Sequence, residues 1–305
     1  MSMRMTVAAF FVVAGVLQAV SGVQGQAPAH YNDLVPLLDK GLATFGPFFG
    51  SRTLEGGAEA MSTQGPDFAM IDMEHNPLDA NQVRAFVQGS IDPAAVLKRG
   101  RAGTSRPVIV RIPANGREMN QWMAKQVLDA GAHGVMFPNI ETVEQALNAV
   151  RSMRFPQPTG AADYEPTGQR GQGSGWPARA WGLSSQEYEA RADVWPLDPN
   201  GALISVLQIE NDLGVKSVRE IVSKVKGISV IFVGPNDLGL AYGRNQQLTE
   251  AAIQSVLAVC REANVACGIT ANPNTVGQRV KEGFRFIITS GVAIDIGKKA
   301  AGRTS

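Results

Sequence analysis

Eight short apolar segments, each followed by residues with helical periodicity, limit the folds open to this chain more than any other feature. Each segment is almost continuously apolar, as is typical of parallel strands that are covered on both faces. The segments cover residues 44–50, 68–72, 107–112, 134–138, 202–209, 228–233, 266–270 and 285–289. Eight such units in a chain of 305 residues predict an α/β fold, a single (β/α)8 or TIM-barrel domain.

A doubly wound open sheet is the alternative fold. Such a sheet would need a glycine-rich, phosphate-binding turn directly after its first strand. The residues at that position are Gly50-Ser51-Arg52-Thr53, which do not form a convincing turn of this kind. The barrel is therefore the preferred prediction.

Residues 155–201 interrupt the alternation of strands and helices. They are rich in Gly, Pro, Ser and Arg, and they contain Trp176, Trp181 and Trp195. A segment of this length inside a compact domain is usually functional or disordered. Its arginines and tryptophans favour an ordered flap, which we expect to lie over the mouth of the barrel. A second insertion, residues 90–106, has no predicted function.

The first 26 residues have the three-part layout of a secretory signal peptide. Arg4 provides a positive start, residues 6–20 are almost wholly apolar, and small and polar residues follow. Cleavage is expected near Gly25 or Ala27, which leaves residues 27–305 as the mature domain. An uncleaved anchor is the alternative, although the apolar run is short for a membrane span. We predict an exported protein, periplasmic or secreted, without stable membrane association after cleavage.

Charge and cysteine content narrow the classes of partner and of site. The net charge is +1 and no basic stripe appears, which argues against a nucleic-acid partner. Cys260 and Cys267 are the only cysteines. A disulfide between them is an option in an oxidising compartment. Two buried thiols are favoured, because free cysteine is common in protein cores.

Polar groups with catalytic potential collect at the carboxyl ends of the predicted strands. Barrel enzymes build their active sites at this end, from the ends of several strands. The strand ends contain Asp72-Met73-Glu74-His75, Arg111, Pro138-Asn139, Gln208-Ile209-Glu210 and Gly234-Pro235-Asn236-Asp237. A chain without an active site would be expected to distribute such residues over both ends. The sequence therefore predicts an enzyme with its site on this rim.

Glu210 and Asp237 each follow an apolar run, and the two runs are about one βα unit apart. An acid at the end of a buried strand is costly unless a cation receives it. Neither segment has a nearby His or Cys, so an oxygen-only site for Mg²⁺ or Mn²⁺ is favoured over zinc or copper. Asp237 could instead cap the following helix. The matched placement of both acids favours a pair of metal ligands.

His75 and Arg111 supply further chemistry at the same rim. His75 is the one of three histidines that is predicted to lie there, beside Asp72 and Glu74. An imidazole oriented by a carboxylate is a common general base near neutral pH. Arg111 ends its strand, and a guanidinium can bind a carboxylate through two hydrogen bonds. An internal salt bridge to Asp72 or Glu74 is the alternative role, and Arg111 could serve both.

Five segments, in order along the chain, resemble the signatures of the HpcH/HpaI aldolase family. They are Ile71-Asp72-Met73-Glu74-His75, Val110-Arg111-Ile112-Pro113, residues 130–138, Gln208-Ile209-Glu210 and Gly234-Pro235-Asn236-Asp237-Leu238. The segment Gly168-Gln169-Arg170-Gly171 is similar to a further family segment, and the resemblance extends over residues 41–297. These enzymes are metal-dependent, class II pyruvate aldolases that cleave 4-hydroxy-2-oxo acids.

The resemblance implies roles for individual residues. Glu210 and Asp237 would bind Mg²⁺, Mn²⁺ or Co²⁺, His75 with Asp72 as its partner would be the acid/base group, and Arg111 would stabilise the pyruvate enolate. The pyruvate pocket would be lined by Gln208 and by the backbone of Gly234, Pro235 and Asn236. The partners would be a 2-oxo acid, an aldehyde and further copies of the chain, since the family usually assembles as a hexamer.

The export signal and the two insertions depart from the family pattern, and they leave the acceptor aldehyde and the assembly open. Two other functions are considered. One is a different lyase of the superfamily, which acts on acyl-CoA thioesters or couples decarboxylation to carbon–carbon bond formation. An adenine-nucleotide site should add a basic patch, and none is evident in the sequence. The other is a non-catalytic exported protein that binds a 2-oxo acid.

Overall fold

The computed structural model describes residues 30–119 and 121–304. The predicted signal peptide, residues 1–26, lies outside the described residues. Among the described residues, no helix is both long enough and apolar enough to cross a membrane.

All strands of the described chain belong to one parallel sheet, which confirms the predicted barrel strands. They are β1 (Thr44–Gly46), β2 (Phe48–Phe49), β3 (Ala69–Asp72), β4 (Val108–Arg111), β5 (Gly134–Phe137), β6 (Val194–Trp195), β7 (Leu203–Ile209), β8 (Val230–Val233), β9 (Ala266–Thr270) and β10 (Phe286–Ile288). Their order in the sheet is β1-β10-β9-β8-β7-β5-β4-β3-β2, with β6 added beside β7.

The sheet closes through the first predicted strand. β1 pairs with β10 and β2 pairs with β3, and only Pro47 separates β1 from β2. Proline lacks the backbone N–H that a continuous strand donates, so it divides the strand at this point. The Pro47 carbonyl still accepts from Met70 N at 3.0 Å. The two edges of the sheet are thus one segment, and the open-sheet alternative is excluded.

Helices cover the outside of the barrel, and one follows each of its strands. These are α2 (Leu54–Ser62), α3 (Ala80–Gly89), α6 (Gln121–Asp129), α7 (Val143–Met153), α10 (Asp212–Lys224), α12 (Gln246–Glu262), α13 (Val276–Lys281) and α14 (Val292–Ala300). The additional helices are α1 (Val35–Asp39), α4 (Pro93–Arg99), α5 (Asn115–Glu118), α8 (Gly175–Trp181), α9 (Ser185–Arg191) and α11 (Pro235–Ala241).

The interior of the barrel is a packed apolar core rather than a channel. It is built from alternate residues of the strands together with α1, and includes Phe68, Met70, Ile109, Met136, Ile204, Val206, Val230, Phe232, Phe286, Ile288, Leu34, Val35 and Leu38. Since side chains alternate across a strand, the residues two positions beyond Met70, Ile109 and Val206 also face inward. Those residues are Asp72, Arg111 and Gln208. The inner face therefore changes from apolar to polar at its carboxyl end.

Residues 155–201 pack at the amino end of the barrel, so the expected flap over the mouth is wrong. They form α8, α9 and β6, and β6 pairs with Leu203 and Ile204, the first two residues of β7. Trp181 stacks on His133, which precedes β5, at 4.6 Å between ring centroids. Tyr31 stacks on Trp181 at 5.4 Å. These aromatic contacts hold the insertion against α1 and the strand starts, away from the carboxyl ends.

The insertion at residues 90–106 also contacts the amino-terminal segment of the described chain. Arg101 donates to both carboxylate oxygens of Asp33 at 2.8 and 2.9 Å and to the Tyr31 carbonyl at 2.8 Å. Helix α4, which lies in this insertion, buries none of its residues. The insertion thus fastens the segment that leads into α1.

Candidate active site

Two clusters of predicted site residues meet at the carboxyl end of the barrel. The first comes from β3 and β4, where Asp72 and Arg111 are register partners on neighbouring strands. The second comes from β7 and β8, where Gln208 pairs in register with Phe232 two residues before Gly234. Because all four strands are parallel, their ends present these side chains to one mouth.

Arg111 is held by Asp72 through two hydrogen bonds. Its Nε donates to Asp72 Oδ1 at 2.9 Å and its Nη2 donates to Asp72 Oδ2 at 2.7 Å. Burial alone would raise the pKa of Asp72, but the bonds and charge of Arg111 outweigh it and lower that pKa. The Phe48 ring lies 4.7 Å from the guanidinium carbon of Arg111. Asp72 therefore fixes the orientation of Arg111 through Nε and Nη2. The third nitrogen, Nη1, is not bonded to Asp72 and faces Glu74.

Glu74 is the acid that the sequence interpretation left without a specific role. Its Oε2 lies 3.2 Å from Arg111 Nη1 and has no hydrogen-bond partner in the described structure. Burial raises the pKa of Glu74 to about 7 despite the nearby Arg111, and the charges of Asp72 and Asp237 add to the rise. Its place between Asp72 and His75 in the sequence was the available signal, since β3 ends at Asp72 and strand alternation does not extend to Glu74.

His75 lies at the rim, and its side chain is 61% exposed. The nearest acid is Glu74, whose Oε2 is 3.5 Å from His75 Nε2. Asp72 instead uses its oxygens for Arg111 and for the backbone N–H of Glu74, at 3.0 Å. The expected pairing of His75 with Asp72 is thus replaced in this structure by a contact with Glu74.

Glu210 is buried, and its side chain is held by its neighbours. The backbone N–H of Asn139 donates to Glu210 Oε1 at 2.9 Å, and Gln208 Nε2 donates to Glu210 Oε2. Burial raises the pKa of Glu210 to about 7, and the charges of Glu74 and Asp237 push it the same way. Asn139, with φ of 55°, supplies a contact that strand-end position alone did not predict.

Gly234 allows the ends of β7 and β8 to approach each other. A Cβ atom at this position would lie 2.6 Å from Glu210 Oε2 and 2.8 Å from Glu210 Cβ, so any larger residue would displace the carboxylate. Pro235 begins α11, and Asn236 and Asp237 follow in its first turn, exposed at the rim. Asp237 is close enough for its charge to act on both Glu74 and Glu210.

The donor set fits a hard divalent cation. Three carboxylates, those of Glu74, Glu210 and Asp237, repel one another, and the Oε1 atom of Gln208 is buried without a partner in the described structure. Within residues 30–119 and 121–304, no three or more His, Cys, Asp or Glu side chains are arranged to hold a metal ion. Two carboxylates with open positions for water and substrate are typical of Mg²⁺. Glu210 and Asp237 could be the two carboxylate ligands of such a site.

Comparison with known proteins places this barrel and rim in a defined class. The model of the HpcH/HpaI aldolase/citrate lyase family matches residues 50–295. A hydroxypyruvate/pyruvate aldolase of Paraburkholderia phytofirmans is 34% identical over 249 residues, which cover 79% of this chain and 85% of that protein. A 2-keto-3-deoxy-L-rhamnonate aldolase of Salmonella dublin is 30% identical over 227 residues, 73% of each chain.

A solved structure agrees with the sequence comparison. A family protein from Burkholderia cenocepacia J2315 matches with a TM-score of 0.70 and 30% identity, covering 89% of this chain and 97% of that one. The protein is thus an α/β-barrel carbon–carbon lyase. The chain belongs to the HpcH/HpaI aldolase/citrate lyase family.

Proposed function

We propose that this protein is a divalent-metal-dependent aldolase that reversibly cleaves a 4-hydroxy-2-oxo acid to pyruvate and an aldehyde. The observation that carries the proposal is the meeting of three repelling carboxylates with the oriented guanidinium of Arg111 at one barrel mouth. The pyruvate or 2-keto acids in the names of the related aldolases support the substrate class.

Glu210 and Asp237 are the proposed ligands of Mg²⁺ or Mn²⁺, with Co²⁺ as a third candidate. Their oxygen-only donor set suits these ions. When bound, such an ion would supply a Lewis acid that draws electron density from the carbonyl group of the 2-oxo acid. Gln208 orients Glu210 by donating to it, and the missing side chain of Gly234 leaves room beside the carboxylate.

Arg111 is proposed to stabilise the charge that develops on the substrate. When the C3–C4 bond breaks, its electron pair moves toward the C2 oxygen and forms an enolate. A fixed guanidinium stabilises such a charge without reorganising during the reaction. Asp72 provides that fixation through its two bonds to Arg111. Asp72 therefore acts as a positioning residue for Arg111.

His75 is proposed to accept the proton of the C4 hydroxyl group, which frees the aldehyde. Its exposed position allows it to reach a substrate at the rim, and Glu74 lies close enough to orient the ring. The same imidazole would return the proton when pyruvate is joined to an aldehyde. Gln208 and the backbone of Gly234, Pro235 and Asn236 are proposed to line the pyruvate side of the pocket.

The proposal is tested by measuring pyruvate release from a 4-hydroxy-2-oxo acid with Mg²⁺ or Mn²⁺, before and after addition of EDTA. We expect release that stops with the chelator and returns with excess metal. Hydroxypyruvate should be tried as a second donor in the synthetic direction, given the name of the related aldolase. Activity that survives EDTA, or survives Glu210→Ala combined with Asp237→Ala, would exclude the metal mechanism.

Arg111→Lys separates the enolate role from a structural one. The lysine keeps the charge but loses the planar fork that Asp72 holds. We expect a large loss in kcat with little change in metal affinity measured by titration calorimetry. Equal losses in both would assign Arg111 to the fold.

Export and self-assembly are part of the same proposal. Residues 1–26 are proposed to direct export, and N-terminal sequencing of the secreted protein would test it. Assembly as a homo-oligomer, a hexamer by the family resemblance, is supported by large apolar side chains that are exposed on several helices. They include Leu54, Trp122, Leu213, Leu240, Leu248 and Val292. Light scattering of the purified protein would show a monomer if the proposal is wrong.

A further inference from the structure

Cys260 and Cys267 form a buried sulfur pair outside the active site. Cys260 lies in the last turn of α12, and Cys267 is the second residue of β9. Each is 1% exposed, and both belong to the apolar layer between the sheet and the helices. The catalytic proposal makes no use of either thiol.

The distance between the two sulfur atoms is short for a contact between free thiols. Cys260 Sγ and Cys267 Sγ are 2.7 Å apart, and both are free thiols in this structure. Non-bonded carbon atoms rest about 3.5–4.0 Å apart, and sulfur is the larger atom. A disulfide bond has a length of about 2.05 Å. The pair is therefore closer than packing alone accounts for.

The backbone between the two cysteines holds them in this arrangement. The N–H of Val265 donates to the Cys260 carbonyl at 2.9 Å, and the N–H of Asn264 donates to the Arg261 carbonyl at 3.2 Å. Asn264 adopts φ of 52°, which turns the chain sharply from α12 into β9. Beyond this turn, Arg285 N donates to the Cys267 carbonyl at 2.8 Å, where β9 meets the chain before β10. Little movement is needed to join the sulfurs.

We propose that Cys260 and Cys267 are an oxidative modification site that forms an intramolecular disulfide with a disulfide-bearing oxidant. The thiolate of one cysteine attacks the oxidant and releases one of its sulfurs as a thiol, which leaves a mixed disulfide. The second cysteine then loses its proton, attacks the mixed disulfide and releases the other thiol. Two electrons and two protons pass from the cysteine pair to the oxidant, and one sulfur–sulfur bond replaces another.

The burial of both sulfurs determines when this exchange takes place. An external disulfide needs access to a thiolate, and neither sulfur is accessible in the folded barrel. Oxidation therefore accompanies folding, and the finished bond is shielded from reductants. The cross-link would join α12 to β9 and restrict the unfolded chain.

The test is oxidative refolding of the full chain in a buffer of reduced and oxidised glutathione. We expect an intact mass lower by two hydrogen atoms, a cross-linked peptide containing both cysteines, and no alkylation by iodoacetamide in denaturant without reductant. A disulfide that closes so short a loop should raise Tm by about 5 °C over the reduced protein. Two alkylated thiols after oxidative refolding would overturn the proposal.

The variant Cys260→Ala with Cys267→Ala provides the matched control. Its Tm should be the same in oxidising and reducing buffers, whereas that of the parent protein should differ. Should the double variant fail to fold, Cys267→Ser alone keeps the test open, because it should give a glutathione adduct or a free thiol but no internal cross-link. A buffer-dependent Tm in the double variant would show that the shift arises elsewhere.

Discussion

The two ends of the barrel differ in how their buried polar groups are partnered. At the carboxyl end, Glu74 and Glu210 lie near each other and near Asp237, and each has a pKa raised to about 7. At the amino end, the fully buried Arg154 donates to Asp193 at 2.6 and 2.7 Å and to Asp163 at 2.8 Å. His133 is kept neutral there, since burial lowers its pKa to about 3.

The difference indicates what each end contributes. Charges that are paired, or groups that are kept neutral, avoid the cost of burial without a further ligand, so they are compatible with a stable folded chain. Carboxylates that repel one another make the folded chain less stable until a cation binds. Such clusters of shifted pKa values are characteristic of functional sites. The amino end therefore serves stability and the carboxyl end serves chemistry, and substitutions at the two ends should separate these effects.

Glu210→Gln should give the largest effect, a loss of activity without a loss of stability. Losing a ligand of the proposed Lewis acid removes several kcal/mol of transition-state stabilisation, so kcat/KM should fall by roughly a thousandfold. The folded-state pKa of Glu210 lies above its unfolded value, so its ionisation destabilises the fold as the pH rises from about 4.5 through 7. At pH 8 the neutral amide should therefore raise Tm. A drop in both activity and Tm would contradict the contrast between the ends.

Asp193→Ala should show the opposite behaviour. It leaves Arg154 buried with one weaker acid partner, and breaking a buried ion pair costs about 3 kcal/mol or more. Urea unfolding should reveal this loss, while kcat of the folded enzyme stays the same. Glu220→Ala is the matched control, because its pair with Lys224 is exposed and should contribute less than about 0.5 kcal/mol. A similar loss in both variants would remove the special role of the amino end.

His133 should make the amino end sensitive to acid. Its folded-state pKa is lowered to about 3, whereas the unfolded chain binds a proton near pH 6.5. The contribution of His133 to the free energy of unfolding is therefore fully present above pH 6.5. It decreases as the pH falls, by about 2 kcal/mol at pH 5. Denaturant titrations at pH 7 and pH 5 should show a smaller difference for His133→Phe, which retains a ring against Trp181. An equal difference would assign the pH dependence to other groups.

Metal affinity should depend on pH because the carboxylates at the carboxyl end repel one another. This is the smallest of the four predicted effects. A ligand must lose its proton to bind a metal. With a pKa of about 7 for Glu210, affinity for Mn²⁺ should fall about tenfold between pH 8 and pH 6. Glu74→Gln removes one of the repelling charges, so the decline should begin at lower pH. Calorimetry that shows a flat affinity in the parent protein would argue against Glu210 as a ligand.

Much of the barrel could be predicted because its strands are covered on both faces. Continuous apolar runs located all eight barrel strands within one or two residues at each end. The division at Pro47 was not predicted, since the apolar pattern continues through it. The position of residues 155–201 was wrong because composition indicates order but does not indicate which end of the barrel a segment covers. The pairing of β6 with the start of β7 and the stacking of Trp181 on His133 reveal that.

In the site, too, the positions of the residues could be predicted from their spacing in the sequence, whereas their contacts could not. The positions of Asp72, Arg111, Gln208 and Glu210 on one rim follow from strand ends and side-chain alternation. The acid that contacts His75 cannot be predicted in this way, because the chain leaves the strand after Asp72 and turns. Asp72 is register partner to Arg111, and that pairing across two strands removes it from His75. Long-range register is not encoded in local spacing.

The division of the first strand at Pro47 also constrains how the chain is synthesised. Among the described strands, β1 pairs with β10 alone, so its strand partner leaves the ribosome roughly 10–50 s later at about 5–20 residues per second. Until then the nascent sheet has free edges, and a free edge can pair with another polypeptide. A chain truncated before residue 286 would keep those edges permanently. Quality control of this protein should therefore depend on its last strand.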